Sequence, residues 1–367
     1  MSAPSSAAAS LVATGPRLVS LDAFRGLIMF TLLCGGIFHS LKGDPSWNWL
    51  FLQNEHVAWE GCVYWDLIQP AFMFMVGAAM PFAFARRAAL GHSWSRQFGH
   101  AAIRAAGLCA VGILLDHFGS QKIEIGFIRV LQQISIGYLL AFFAVGRSLP
   151  TQAMAAAAIL IGYHALWTHN PWNGPGSPWA QGNENIGSAL DRWLLGRNYS
   201  GFYVGMNAIP STATILFGVM AGQRIQQGPD PRKTCRDLAI AGVAGIALGW
   251  GLSSWAPLIK RIWTPSFAVY AGGWTTLMLL AFYWVIDVKG CRRWSFPLVV
   301  VGMNSIAAYV MGNAFGGWFR SLSGAWIGWL QGPLGPAGFP VLQHALFALG
   351  AWGALYWLHS RKIFLRL

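Results

Sequence analysis

A histidine set among carboxylates at the edge of a long apolar run is the strongest chemical signal in this chain. Residues 56–77 read HVAWEGCVYWDLIQPAFMFMVG; Glu55 precedes the segment, Glu60 lies inside it and Asp66 opens its apolar part. Ionisable groups are costly at a membrane boundary, so their presence there points to function. A neutral imidazole at His56 can take a proton from an attacking amine or hydroxyl, or accept an acyl group itself. Asp66 can orient that ring, and an aspartate at a helix start can equally cap free amide groups.

Other polar groups sit in apolar surroundings. Asp22 and Arg25, in SLDAFRG, lie three residues apart on one helix face. They can neutralise each other, or Arg25 can grip a phosphate with two parallel hydrogen bonds. Arg129, Gln132 and Gln133 fall in FIRVLQQISIGYL, and Asn304 in GMNSIAAY; buried amides of this kind bond across helices. The segment PLIKRIWTPSF (257–267) brings Lys260, Arg261 and Trp263 together in a basic, aromatic loop. It suits a helix cap or contact with an anionic or sugar substrate.

The elements that must hold these residues are membrane helices. Of 367 residues, 55% are hydrophobic and 10% charged, against about a quarter charged in a soluble domain. The 20 Trp and 44 Gly fit interfacial aromatics and close helix contacts. A net charge of +13 comes without any basic run, so nucleic acid is not an expected partner; the lipid bilayer is. Ten apolar runs of spanning length are read near 18–39, 66–86, 98–117, 127–146, 151–168, 209–227, 237–256, 266–287, 296–318 and 339–358. With the N-terminus inside, seven of the 25 basic residues fall in outer loops (Lys42, Lys122, Arg192, Arg197, Lys260, Arg261, Arg320) and three lie in or beside spans (Arg25, Arg104, Arg129). The other fifteen (25 − 7 − 3) fall in inner loops. This bias predicts an all-α, polytopic bundle with both termini cytoplasmic and His56 on the outer side. Residues 1–16 read as a disordered polar tail and 17–367 as one transmembrane domain. The outer segment 169–209, rich in Asn, Gly, Pro and Trp, is expected to pack over the outer face. Its Trp172 and Trp179 suit an interfacial belt or a sugar platform.

The five cysteines show no paired or metal spacing, and the nine histidines show no ligand spacing, so no metal is expected. The sequence has no P-loop, HExxH or GxSxG segment, which leaves ATP-driven transport and serine hydrolysis without support.

In order, RLVSLDAFRGL (17–27), H-x-x-W-x-G-x4-D-x3-P-x-F-x-F-x2-G (56–77), RVLQQISIGYL (129–139), IPSTATILFGVMAG (209–222), PLIKRIWTPSF, PLVVVGMNSIAAY (297–309) and RKIFLRL (361–367) resemble the heparan-α-glucosaminide N-acetyltransferase family of membrane acyltransferases, in a short bacterial-type form. The resemblance implies acetyl transfer from cytoplasmic acetyl-CoA to an amino sugar on the far side of a bacterial inner membrane. His56 matches the family's catalytic histidine and Asp66 the acid that follows. Arg25, Asp22, Arg129 and Gln132 become candidates for holding acetyl-CoA; Glu60, Trp59, Trp263 and Asn304 become candidates for the acceptor. Both an acetyl-histidine route and direct transfer fit. The acceptor stays open among glucosamine, chitin or peptidoglycan fragments and a surface glycan, and a homodimer is open by resemblance alone. Two positions depart from the pattern: an asparagine of the larger members is here Gly36, and another is Glu60. A sugar or amino-sugar permease is the competing reading, since broken spans and polar residues at depth also suit transport. A non-catalytic scaffold is the third.

Overall fold

The computed structural model describes residues 18–120, 125–182, 184–199 and 202–365. The expected 1–16 tail lies outside them, as do Arg17, Lys122 and Arg366. Among the described residues the chain is all helical, with one isolated bridge between Tyr199 and Tyr203. The helices are α1 (Val19–His39), α2 (Asn48–Gln53), α3 (Tyr64–Ala89), α4 (Trp94–Ser120), α5 (Val130–Phe142), α6 (Leu149–Thr168), α7 (Ile186–Leu195), α8 (Ala208–Gln227), α9 (Pro231–Leu252), α10 (Pro265–Phe282), α11 (Phe296–Met303), α12 (Ser305–Ile327) and α13 (Gln331–Ser360).

Seven helical stretches among the described residues are long and apolar enough to cross a membrane, and they mark an integral membrane protein. Ten runs were expected, and the difference has three sources. The run at 127–146 forms only the 13-residue α5. The run at 209–227 forms α8, which buries Ser211, Thr212, Thr214 and Gln223 among other helices rather than facing lipid. The last two runs lie in one continuous stretch, Ser305–Ser360, with α11 split from α12 at the non-helical Asn304.

Two close helix crossings build the centre. A side chain at Gly218 or Gly222 of α8 would overlap the backbone carbonyls of Phe74 or Ala78 in α3, and one at Gly77 would overlap that of Ile215. Small residues four apart let membrane helices approach to backbone contact, where dispersion and polar contacts accumulate without help from the hydrophobic effect. The second crossing sets α1 on α11: Gly26 lies on the Leu298 carbonyl and Gly302 on that of Asp22. Gly218→Leu is therefore expected to cost about 1–3 kcal/mol through overpacking and to lower the melting temperature in detergent. Gly99→Leu, in a position with no atom near its would-be side chain, should leave it unchanged.

Segments around Trp167, Trp179 and Trp255 pack as a cap. The rings of Trp167 and Trp179 stack at 6.0 Å, Trp179 Nε1 donates to the Trp255 carbonyl at 3.1 Å, and the Tyr163 hydroxyl donates to that of Ile262 at 2.7 Å. Trp179 is buried, so it serves this packing rather than the expected belt or sugar platform; Trp172 is exposed.

α10 links the two ends of the bundle. The Lys260 turn lies just before its first residue, Pro265. At its far end the helix loosens into a π-helical turn, Tyr283–Val288, where Asp287 accepts the Ser20 amide at 3.0 Å. The rise of 1.5 Å per residue puts the ends about 30 Å apart. The start of α1 and the Lys260 turn are thus at opposite faces of the protein.

Candidate active site

Asp66 sits at the third position of α3, and its two oxygens divide the roles read from the sequence. Oδ2 accepts the Val63 amide at 3.3 Å, capping the helix start. Oδ1 lies 2.6 Å from His56 Nδ1. A carboxylate only accepts, so Nδ1 carries a proton, and in the neutral ring Nε2 is the nitrogen with the lone pair. Asp66 is 1% exposed.

Lys260 completes the cluster from 204 residues away. Its Nζ lies 3.3 Å from His56 Nδ1 and 3.6 Å from Asp66 Oδ1, and the residue is buried. The turn holding it is fixed from several sides. Thr264 Oγ1 donates to the Pro257 carbonyl at 2.7 Å and accepts from the Ile259 amide at 3.1 Å. Gly61 N donates to the Leu258 carbonyl at 2.8 Å, tying the turn to the His56 loop. Arg261 reaches the Val57 carbonyl and the Tyr203 hydroxyl and lies 3.5 Å over the Phe202 ring. Trp263 holds a left-handed φ of 52°, a conformation that costs energy in a bulky residue and persists only where its surroundings enforce it.

Charge and burial set the protonation states. Burial pushes His56 below the usual histidine value, against its hydrogen bond to Asp66, and the cations Lys260 and Arg261 press the same way as burial. Burial lowers Lys260 to about 8, against the pull of Asp66. Burial raises the nearby Cys62 thiol to about 12, so at neutral pH it is no thiolate nucleophile.

A cavity of about 110 Å³ opens under these groups, lined by His56, Lys260, Trp65, Gln69, Met29 and Tyr309 among others. Its floor is braced by an amide chain: Gln69 Nε2 donates to Gln133 Oε1 and Gln133 Nε2 to Asn207 Oδ1, both at 2.6 Å, and Asn207 Nδ2 donates to the Arg261 carbonyl at 3.2 Å. The sequence signal for this chain was the pair of amides in α5.

The structure separates the residues expected to hold acetyl-CoA. Asp22 and Arg25 form an ion pair at 3.7 Å near the N-terminal end of α1. Met29, one turn beyond Arg25 on the same face, lines the cavity. Arg129 and Gln132 belong to the His56 end of the bundle, where both engage Asp116, at 2.7 and 3.0 Å.

The acceptor candidates also divide. Glu60 is exposed on the His56 loop. Trp59 Nε1 is spent on the Trp179 carbonyl at 2.8 Å. Trp263 is fully buried, with its indole N–H on Thr214, so its ring offers no open face to a sugar. Asn304 lies at the opposite end, joining the Ile363 carbonyl and the Leu365 amide at 3.1 and 3.0 Å. Its position beside the Gly26–Gly302 crossing makes it a clamp for the C-terminal segment.

At Gly36 the missing side chain has a local cause. Its space is filled by the His344 ring, whose Nδ1 lies 2.8 Å from the Pro340 carbonyl and whose Nε2 faces Arg320 at 3.1 Å. Gly36→Asn should displace this ring and destabilise the protein, and His344→Ala in the same chain should restore its melting temperature. Glu55 pairs with His39 at 2.8 Å, and Trp65 stands between His39 and His56, its ring 6.4 and 6.3 Å from theirs.

Among the described residues no three His, Cys, Asp or Glu side chains are grouped to hold a metal ion. The arrangement suits proton transfer: a half-buried imidazole beside a small cavity, with Nδ1 tied to Asp66.

No family model matches the chain. It is similar to the heparan-alpha-glucosaminide N-acetyltransferase of Homo sapiens, 24% identical over 84% of this chain and 54% of that protein. It is similar also to the protein of that name from Mus musculus, 23% identical over 80% of this chain and 53% of the other. These matches support a distant relationship to that family and an acyltransferase role in general terms. The chain spans about half the length of the curated relatives it matches.

Proposed function

We propose that this protein is a transmembrane acetyltransferase that moves an acetyl group from acetyl-CoA to the amine of a glucosamine-type sugar, with His56 as the base. The observation that supports the reading is the His56–Asp66 pair beside the cavity, which puts a proton on Nδ1 and so makes Nε2 the lone-pair nitrogen of the neutral ring. The distant relationship to enzymes named for this reaction supports the same reading.

In this reading transfer is direct. The amine nitrogen bonds to the acetyl carbonyl carbon while His56 Nε2 takes its proton. The carbon–sulfur bond then breaks, and the CoA thiolate leaves and recovers a proton from the imidazolium. Asp66 steadies the imidazolium as it forms. The cavity is smaller than an ordinary ligand pocket of about 300 Å³ or more, so it fits the acetyl end of the donor and not its nucleotide. Arg25, one turn from the cavity-lining Met29, is the residue proposed to meet a CoA phosphate.

In this reading the N-terminus faces the cytoplasm, the protein resides in a bacterial inner membrane, and the acceptor enters on the His56 side. The test is thiol release from acetyl-CoA by the purified protein in detergent, with and without glucosamine. Release that requires the sugar is expected; a folded protein that releases no thiol with any amino sugar, yet carries labelled glucosamine into CoA-free liposomes, would instead be a permease.

The rate should rise with pH as His56 loses its proton. Since burial and two cations lower its titration, the acid limb of kcat/KM is expected below the ordinary histidine value of about 6.5. A limb above that value would assign the base to another group.

A further inference from the structure

We propose that Lys260 is a positioning residue of this centre: its ammonium balances the buried Asp66 carboxylate and so keeps the His56 ring uncharged. The inference rests on the reading of His56 as the base.

The physical problem is an imbalance. A buried carboxylate 2.6 Å from an imidazole nitrogen draws a proton onto that ring, and an imidazolium has no lone pair for a substrate's proton. The Asp66–histidine pair alone would therefore hold the base in its spent form. Lys260 Nζ, 3.6 Å from Asp66 Oδ1 and 3.3 Å from His56 Nδ1, supplies the opposing charge. It does not donate to Nδ1, because that atom carries the proton shared with Asp66; its action on the ring is electrostatic, and in a buried site such action is weakly screened.

The other groups facing the cluster do not replace it. Arg261 follows Lys260 in the same turn, but its guanidinium is spent on the Val57 carbonyl, the Tyr203 hydroxyl and the Phe202 ring. Cys62, from the His56 loop, stays a neutral thiol, and burial raises Tyr203 above its ordinary value, so it stays a phenol. Trp65 of α3 presents only a ring to His56, at 6.3 Å. Lys260 is thus the cation placed to offset Asp66. Its own depressed value of about 8 still leaves it mostly charged at neutral pH.

The test reads His56 directly. Diethyl pyrocarbonate reacts with neutral imidazole, and peptide mass spectrometry followed across pH gives the midpoint at which His56 becomes reactive. Lys260→Met should raise that midpoint by about one pH unit or more, the scale of removing a neighbouring charge. Lys260→Arg keeps the charge and should hold the midpoint near that of the wild type. Lys260→Gln carries the same comparison should the methionine variant not fold. An unchanged midpoint in Lys260→Met or Lys260→Gln overturns the proposal, because a residue that merely props the loop would alter the melting temperature and not this titration. The readout needs no acetyl transfer, so it stays separate from failure of the acetyltransferase reading. Where transfer is measured, its acid limb should move up with the same midpoint and return in Lys260→Arg.

Discussion

His56→Ala is expected to lower kcat for acetyl transfer by about 10²- to 10⁴-fold, the range of a lost general base, with the melting temperature nearly unchanged. The ring is partly exposed at the cavity, and removing it leaves the caps and amide chain that hold the site. Asp66 Oδ2 still accepts the Val63 amide, and Gly61 still bonds to the Leu258 carbonyl. What is lost is the imidazole nitrogen proposed to take the proton of the amine. Thiol release measured with acetyl-CoA and glucosamine gives the result, and a folded His56→Ala protein with full turnover would remove His56 from the mechanism. The residual rate carries information as well: an amine held within about 3–3.5 Å of the thioester carbon keeps the benefit of proximity without a base.

Asp66→Asn should be nearly as damaging, for a different reason. Oδ2 faces the amide of Val63 at 3.3 Å and that of Val57 at 3.5 Å, both donors. An asparagine must put its carbonyl oxygen there, which turns its NH₂ toward His56 Nδ1. The amide donates, so Nδ1 must accept, and the ring proton moves to Nε2, the atom that has to take the substrate's proton. The expected loss in kcat is on the order of 10³- to 10⁴-fold, as in a serine–histidine–aspartate triad trapped in the wrong tautomer by the same substitution. The helix cap survives, so the protein should fold. Raising the pH should not restore the rate, which separates this variant from Lys260→Met, where a higher pH recovers the neutral ring. An Asp66→Asn protein whose rate recovers fully at high pH would mean that Asp66 acts by charge alone.

Much of the scaffold was legible in the chain. All ten apolar runs fall on helices, because some 20 apolar residues in a row have few other ways to satisfy their backbone in lipid. Their division into crossings was less visible. Hydropathy cannot show that α8 buries most of its residues against other helices, nor that Asn304 interrupts a run to clamp residues 363–365. The aromatic residues misled for a similar reason. Trp263 and Trp59 look like sugar platforms in a linear reading, yet both spend their indole N–H groups inside the protein. Exposure depends on what packs above a residue, and here that is set by segments 49 and 120 positions away.

The sequence by itself determined the membrane class, the ordered motifs and the nearness of His56 to Asp66. These are local properties: apolar length is fixed by bilayer thickness, and a histidine ten residues before a helix-starting aspartate can fold back onto it. Only the tertiary structure decided which oxygen of Asp66 caps the helix and which fixes the imidazole tautomer. It also tied Arg129 and Gln132 to Asp116 at the end of the bundle opposite Asp22. Above all it brought Lys260 across 204 positions to His56, and beside the Asp66 carboxylate. A charge can be buried only where the fold supplies its partner, and the residue that balances this site was therefore visible as a lysine in the sequence but as part of the site only in three dimensions.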